Sequence, residues 1–203
     1  LDVARGAVID IGPGSPTAIS FGYASRFPRE YRDKLFLCDW TFGTIYTLDL
    51  KESGSSYTAE KHVFLYGQPL NIAAMRFGPD GHMYFVIGGR NSDSKLYRIR
   101  WAGSPIDETP IEAKVANQGL RDLRHSLEAW HGNHEGGQKA IDAAWPHLAH
   151  DDREIRYAAR IAIENQDLAL WQERALAAKD PRTAIEAMIA LCRHAAPELA
   201  ARV

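Results

Sequence analysis

The chain has 203 residues, of which 45% are hydrophobic and 25% are charged, and this composition is typical of globular proteins rather than disordered ones. The formal net charge of -2 gives no basis for nucleic-acid binding, which normally requires a concentrated basic face. We therefore expect no nucleic-acid partner. No apolar run approaches the length of a membrane span, so we expect no membrane span either.

Short runs of β-forming residues, separated by Gly, Pro and Asp turns, fill the first half of the chain. Residues 34–40 (KLFLCDW) are almost continuously apolar, which predicts a strand buried on both faces. Strands are predicted, in chain order, at residues 17–23, 34–40, 44–50 and 61–66. Four such strands within about 50 residues are the size of one β-propeller blade.

A second group of β-type runs follows, with a hairpin-type turn at residues 78–81 (GPDG). Its strands are predicted at residues 71–77, 82–87 and 95–101. We interpret this group as a second blade, although a β-sandwich shows similar strand spacing. Because a propeller needs about four or more blades, the missing blades lie upstream or the sheets are capped in another way. The sequence is therefore expected to be a piece of a larger protein.

Beyond Pro105 and Pro110 the apolar period changes from that of strands to that of helices. Helices are predicted at residues 120–130, 140–148, 153–165, 171–178 and 183–192. Asp-led helix starts recur about 28 residues apart, which is consistent with stacked helix pairs. Residues 151–159 (DDREIRYAA) resemble the second helix of a HEAT repeat.

The predicted fold class is therefore antiparallel β-propeller blades, forming an incomplete propeller, followed by an α-helical HEAT-like solenoid. We divide the chain into terminal propeller blades (1–104), a linker (105–117) and HEAT-like repeats (118–203). The two cysteines, Cys38 and Cys192, are predicted to be reduced core thiols, with one distant disulfide as the alternative. Five large side chains are predicted to be buried: Phe36, Leu37 and Phe85 between sheets, and Trp145 and Trp171 between helices.

A family resemblance rests on several stretches of the sequence. SPTAISFGYASRFPREYRDKLFLCDWTFGTIYTLDL, GQPL, GPDGHMYFVIGGR and SKLYRIRW resemble the terminal blades of glucose/sorbosone dehydrogenase-like propellers. With LRHSLEAWHG and AWPHLAHDDREIRYAARIAIENQD, they are similar to the planctomycete-type multidomain membrane-bound dehydrogenases or haem-binding proteins. The resemblance covers roughly residues 14 to 195. In that family a propeller is followed by HEAT-like helices and a c-type cytochrome module.

The resemblance implies a six-bladed propeller that oxidises a sugar or alcohol, with pyrroloquinoline quinone (PQQ) and calcium, and passes electrons to haem c. It also implies a periplasmic or extracellular location, although the sequence begins at Leu1 with no signal peptide. The expected partners are a small sugar or alcohol and neighbouring domains of the same parent chain.

No cofactor is predicted within this chain itself. The positions that align with the quinone-binding cations of the family are Thr41, Asn71 and Ala73, and the Cys-x-x-Cys-His signature of haem c is absent. PQQ, calcium and haem c are thus expected only in the parent protein. The catalytic residues are unknown, because the family's catalytic histidine would lie in other blades.

Four residues are candidates for substrate binding. Asp39, Trp40 and Thr41 stand at a predicted strand end, where propellers present residues toward the central channel. An Asp-Trp pair binds a sugar through its carboxylate and its indole face, but Asp39 capping a turn and Trp40 packing between blades is the alternative. Arg90 follows two glycines that permit close backbone approach, and it either contacts an anionic ligand or pairs with a nearby aspartate.

Two groups of histidines are candidate metal ligands. His131, His134 and Glu135 lie in a Gly-rich stretch without the helical spacing of a zinc protease motif. His147 and His150 stand at a predicted helix end, where capping is favoured. No metal site is therefore predicted.

Two functions follow from these observations. One is a part of an exported sugar or alcohol dehydrogenase of the quinoprotein type, coupled to a c-type haem module outside this chain. The isolated chain would then be inactive. The other is a non-catalytic carbohydrate- or protein-binding propeller–HEAT scaffold.

Overall fold

The computed structural model describes residues 6–89, 92–104, 106–107, 109, 111 and 116–194. The chain divides into two compact units. The β unit comprises Val8–Lys51 and Tyr57–Lys114, and the helical unit comprises Leu1–Ala7, Glu52–Ser56 and Val115–Val203. The short middle segment of the helical unit covers the end of the third strand, the turn at residues 54–55 and the first residue of the fourth strand.

The first sheet of the β unit has four strands that follow one another in chain order. They are β1 (Pro16–Phe21), β2 (Leu35–Asp39), β3 (Thr44–Ser53) and β4 (Ser56–Tyr66). Strand β2 is apolar on both faces because successive side chains point to opposite sides of the sheet. Phe36 and Cys38 belong to the core of the β unit, whereas Leu37 lies on the other face.

The second sheet contains β5 (Ile72–Phe77), β6 (Met83–Gly89) and β7 (Ser92–Ile99), again in chain order and antiparallel. Gly81 has a φ of 73° and allows the tight turn between β5 and β6. A short helix, α1 (Arg29–Arg32), precedes β2. The two sheets share one core, made of Phe27, Phe36, Cys38, Ile45, Ile72, Met75, Met83, Phe85 and Ile87.

The helical unit contains α2 (Gln118–Glu128), α3 (Gly137–Ala144), α4 (Arg153–Glu164), α5 (Gln172–Leu176) and α6 (Pro181–His194). Helix α4 is central and contacts α2, α3 and α6. Its small buried residues Ala158, Ala159 and Ala162 permit this close approach. Helix α4 begins at Asp152, whose carboxylate accepts hydrogen bonds from the backbone N–H groups of Glu154 and Ile155.

The prediction of propeller blades followed by a HEAT-like solenoid is wrong. In the described part of the chain, one sheet has four strands, the other has three, and neither closes. The five helices of the helical unit do not form a long repeated stack, because α3 and α5 have only 8 and 5 residues. Pro146 contributes to this irregularity, since α3 passes into the 3-10 helix Trp145–His147 there. A local apolar period defines single elements, but closure and stacking depend on contacts between distant residues.

The single elements agree better with the sequence than their assembly does. Each of the seven predicted strands and five predicted helices has a counterpart at the expected place, with ends shifted by a few residues. Of the five side chains predicted to be buried, Phe36, Leu37, Phe85 and Trp171 are buried and Trp145 is partly buried. The prediction that Leu37 packs between the sheets is wrong. No helix among the described residues combines the length and the apolar character that crossing a bilayer requires.

Candidate functional site

Asp39, a predicted sugar-binding residue, lies at the end of β2 with its carboxylate enclosed by backbone. The residue is 1% exposed. Its Oδ1 atom accepts hydrogen bonds from the backbone N–H groups of Ser15, at 2.7 Å, and Thr41, at 3.0 Å. A Cβ atom on Gly14 would lie only 2.7 Å from Oδ2. Asp39 therefore holds the turn after β2, and sugar binding by this residue stays a prediction.

Trp40 is half-buried, and its polar groups are used within the β unit. Its Nε1 atom donates a hydrogen bond to the carbonyl of Gly88, at 2.8 Å, and its own carbonyl accepts one from Asn71 Nδ2, at 2.9 Å. Gly89 has a φ of 102°, and a Cβ atom there would lie 3.6 Å from the indole ring. The side chain thus joins the turn after β2 to the end of β6.

Thr41 and Arg90 are the two remaining predicted site residues. Thr41 is exposed and donates a hydrogen bond from Oγ1 to Ser15 Oγ, at 2.9 Å. Arg90 lies outside the described residues. The structure brings Asp39, Trp40 and Thr41 together around Ser15, whose carbonyl accepts a hydrogen bond from the Trp40 N–H at 2.9 Å.

The positions that align with quinone-binding cations do not fit that cofactor. Thr41, Asn71 and Ala73 are neutral, and the side chains of the first two already bond to Ser15 and Trp40. An anionic quinone held here would lose charge-assisted hydrogen bonds of about 1.5–3 kcal/mol each. No step of a quinone mechanism is therefore derived from this chain.

Two of the histidines considered as metal ligands, His131 and His134, lie close to backbone carbonyls instead. His131 Nε2 lies 2.9 Å from the carbonyl oxygen of Ala158, and His134 Nδ1 lies 2.6 Å from that of Asn165. The neighbouring His150 ring and burial lower the pKa of His147, with burial as the larger cause. Among the described residues there is no cluster of three or more His, Cys, Asp or Glu side chains suited to a metal ion.

The two cysteines are both free, but only one belongs to a core. Cys38 is buried, and burial raises the pKa of its thiol to about 12. The reactive thiolate is therefore scarce at neutral pH. Cys192 is exposed, so the prediction that it is a core thiol is wrong.

A feature that the sequence did not reveal is an apolar cavity of about 290 Å³ on the face of the first sheet that lies away from the β-unit core. Strand pairing brings four of its lining residues together in two pairs, because Leu35 lies opposite Leu48 and Ile19 lies opposite Leu37. The lining residues, which together define the apolar cavity, are Val8, Ile9, Ile11, Pro16, Ile19, Leu35, Leu37, Leu48, Leu50 and Tyr57.

One wall of the apolar cavity comes from residues 8–15, which we call the strap. The Ser15 N–H is bonded to the Asp39 carboxylate, and the Ile11 carbonyl accepts a hydrogen bond from Lys61 Nζ at 2.7 Å. Asp10 Oδ1 accepts the N–H of Gly12 at 2.8 Å and shapes the turn in between. The apolar residues Val8, Ile9 and Ile11 carry no strand or helix period, so sequence reasoning missed them. Their apolar character was the only available signal.

Comparison with known proteins gives no relative for this chain. No protein-family model matches it, and neither a curated protein nor a solved structure does.

Proposed function

We propose that this chain is a non-catalytic binding module whose β unit takes an apolar group of a small molecule into the apolar cavity. The observation that carries this proposal is the lining: nine of its ten residues have purely hydrocarbon side chains, and Tyr57 is the tenth. Small-molecule sites are mostly apolar and enclose roughly 300–1,000 Å³, and the cavity volume lies at the lower end of that range.

The lining favours an apolar group over a sugar. A sugar hydroxyl moved from water into this cavity would lose its hydrogen bonds to water, at a cost of about 1–3 kcal/mol each. The Tyr57 hydroxyl is the only side-chain polar group in the lining. The alternative of carbohydrate binding therefore has less support here than binding of hydrocarbon. The dehydrogenase hypothesis stays a prediction drawn from the resemblance.

The test uses a neutral fluorescent probe, N-phenyl-1-naphthylamine, titrated into the full chain. We expect saturable binding with a blue shift of its emission, because the probe leaves water for an apolar site. Ile19→Glu should weaken binding by about tenfold or more, since it places a carboxylate in the lining that binding must desolvate. Ile19 is 59% exposed, so the variant is expected to fold.

Val63→Glu is the matched control. Val63 is 64% exposed on strand β4 and does not line the apolar cavity. Its substitution should leave the affinity unchanged. Equal loss of affinity in both variants, or no saturable binding by the unaltered chain, would reject the proposed function.

A further inference from the structure

We infer that the molecule taken into the apolar cavity is an alkyl-chain carboxylate of medium length, whose carboxylate binds Lys61. This inference rests on the proposed function and adds the chemical class of its ligand. Lys61 Nζ lies 2.7 Å from the carbonyl oxygen of Ile11, whose side chain lines the cavity. The same ammonium lies 5.4 Å from the centre of the Tyr46 ring. Tyr46 is paired with Leu37 of the lining.

Lys61 differs from the other described lysines of the β unit in having no carboxylate within ion-pair distance. Lys34 pairs with Asp49, Lys51 with Glu60, and Lys95 with Asp93. An ammonium group has three donors, and one of those of Lys61 is used by the Ile11 carbonyl. Two donors therefore remain for an anion at the border of the cavity.

The shape of the site limits the rest of the ligand. Nine of the ten lining side chains are hydrocarbon, so the charged end of a bound molecule lies at the border of the cavity, and Lys61 stands beside Ile11 there. A single alkyl chain matches a volume of about 290 Å³ better than two chains do. An amphiphile with one chain and one anionic end satisfies both conditions.

The experiment is calorimetric titration of the full chain with hexanoate, octanoate and decanoate, and with the alcohols of equal length. Each added methylene that enters the cavity should tighten binding about fourfold. The carboxylates should bind about fivefold more tightly than the alcohols, the change expected for one solvent-exposed charge pair. That advantage should fall as salt is added, because screening weakens exposed pairs.

Lys61→Met keeps the aliphatic stem and removes the charge, so it should abolish the advantage of carboxylate over alcohol. Lys61→Arg should retain the advantage, and Lys51→Met should leave it unchanged because Lys51 is paired with Glu60. The Met substitution at position 61 lies on an exposed residue of β4, and circular dichroism checks its folding.

Three outcomes would overturn the inference in distinguishable ways. Equal affinity for carboxylates and alcohols in the unaltered chain rejects the role of Lys61 but leaves the proposed function standing. Absence of binding by both series and by the neutral probe rejects both. A dimer by light scattering that Ile19→Glu dissociates means that a second copy covers the cavity, and it also rejects the small-molecule ligand.

Discussion

The β unit and the helical unit differ in how many large apolar side chains they expose. Among the described residues, twelve of the fourteen exposed large hydrophobic side chains belong to the β unit, and only Leu170 and Ile185 belong to the helical unit. Both units also bury polar or charged side chains: Asp39 in the β unit, and Arg160 and Gln166 in the helical unit, are nearly inaccessible. The two units therefore differ in exposed apolar surface, and the β unit has the exposed apolar side chains that the proposed function requires.

The polar groups buried in the helical unit have defined partners. Arg160 contacts Glu164 at 3.2 Å on its own helix, and Glu186 on α6 at 2.8 Å. Gln166 donates to the carbonyls of Asn133 and Ala162 and accepts from the N–H of Gly137. Such partners are needed because a buried polar group without one costs about 1–3 kcal/mol. The stability of this unit should therefore depend strongly on single charged residues.

Arg160→Met tests that dependence and should give the largest effect. The change removes the cation that Glu164 and Glu186 share, and these partly buried carboxylates keep Arg193 and Arg156 as partners. Breaking a buried pair costs about 3–5 kcal/mol, and the remaining partners put the expected loss at the lower end, about 3 kcal/mol. Urea unfolding followed by circular dichroism measures the free energy. Arg174→Met is the control, because Arg174 and its partner Asp142 are both exposed, and such pairs contribute about 0–1 kcal/mol.

A triple variant, Arg160→Met with Glu164→Gln and Glu186→Gln, separates charge from packing. It removes all three charges and should recover part of the lost free energy of unfolding, since uncharged groups avoid the cost of desolvating carboxylates that have lost Arg160. A triple variant less stable than Arg160→Met alone would show that the Arg160 network is not the source of the loss.

The fold could be predicted from the sequence only as far as local periods reach. β2 is a continuous apolar run and α4 carries a helical period, so their positions follow from residues 34–40 and 153–165. The grouping of Glu52–Ser56 with the helices has no local signal. It depends on hydrogen bonds between Ser55 and Asp152, which are 97 residues apart.

The candidate site shows the same limit. Trp40 stands at the strand end that the sequence predicts, but its indole N–H donates a hydrogen bond to the carbonyl of Gly88, 48 residues further along the chain. The apolar cavity needs the strap and four strands at once, and no short window of sequence contains them. The one sequence signal for the cavity is that β2 is apolar on both faces. Packing between neighbouring propeller blades also predicts that pattern, so it does not identify a cavity.

Asp152→Ala tests how much the hydrogen bonds of one carboxylate at the start of α4 contribute to the stability of the helical unit. Burial raises the pKa of the Asp152 carboxyl, but hydrogen bonds from Ser55, Ile155 and Glu154 outweigh burial and hold the pKa below its ordinary value of 3.8. The substitution should cost about 0.5–2 kcal/mol at neutral pH, the usual loss of an N-cap. Asp180→Ala is the control, with a smaller loss because exposed Asp180 bonds, among the described residues, only within its own segment at Thr183.

The pH dependence of Asp152 has a defined sign. Because the folded-state pKa is lowered, its contribution is fully present above about pH 3.8 and is lost as the pH falls through the lower folded value. Between neutral pH and pH 3, the unaltered chain should therefore lose more free energy of unfolding than Asp152→Ala does. Parallel pH profiles for the two proteins would contradict this account.

Ile19→Thr tests the other side of the comparison and should have the smallest effect. Ile19 is exposed on the lining of the apolar cavity, so replacing it should change the free energy of unfolding by no more than about 0.5 kcal/mol. Ile45→Thr on β3 of the same sheet is the contrast. Ile45 is fully buried, and the change leaves a hydroxyl in the core, at a cost of about 1–3 kcal/mol. Equal losses in urea unfolding would mean that the face bearing Ile19 is covered in the free protein. The apolar surface that Ile19 contributes to the β unit would then not be available to a ligand.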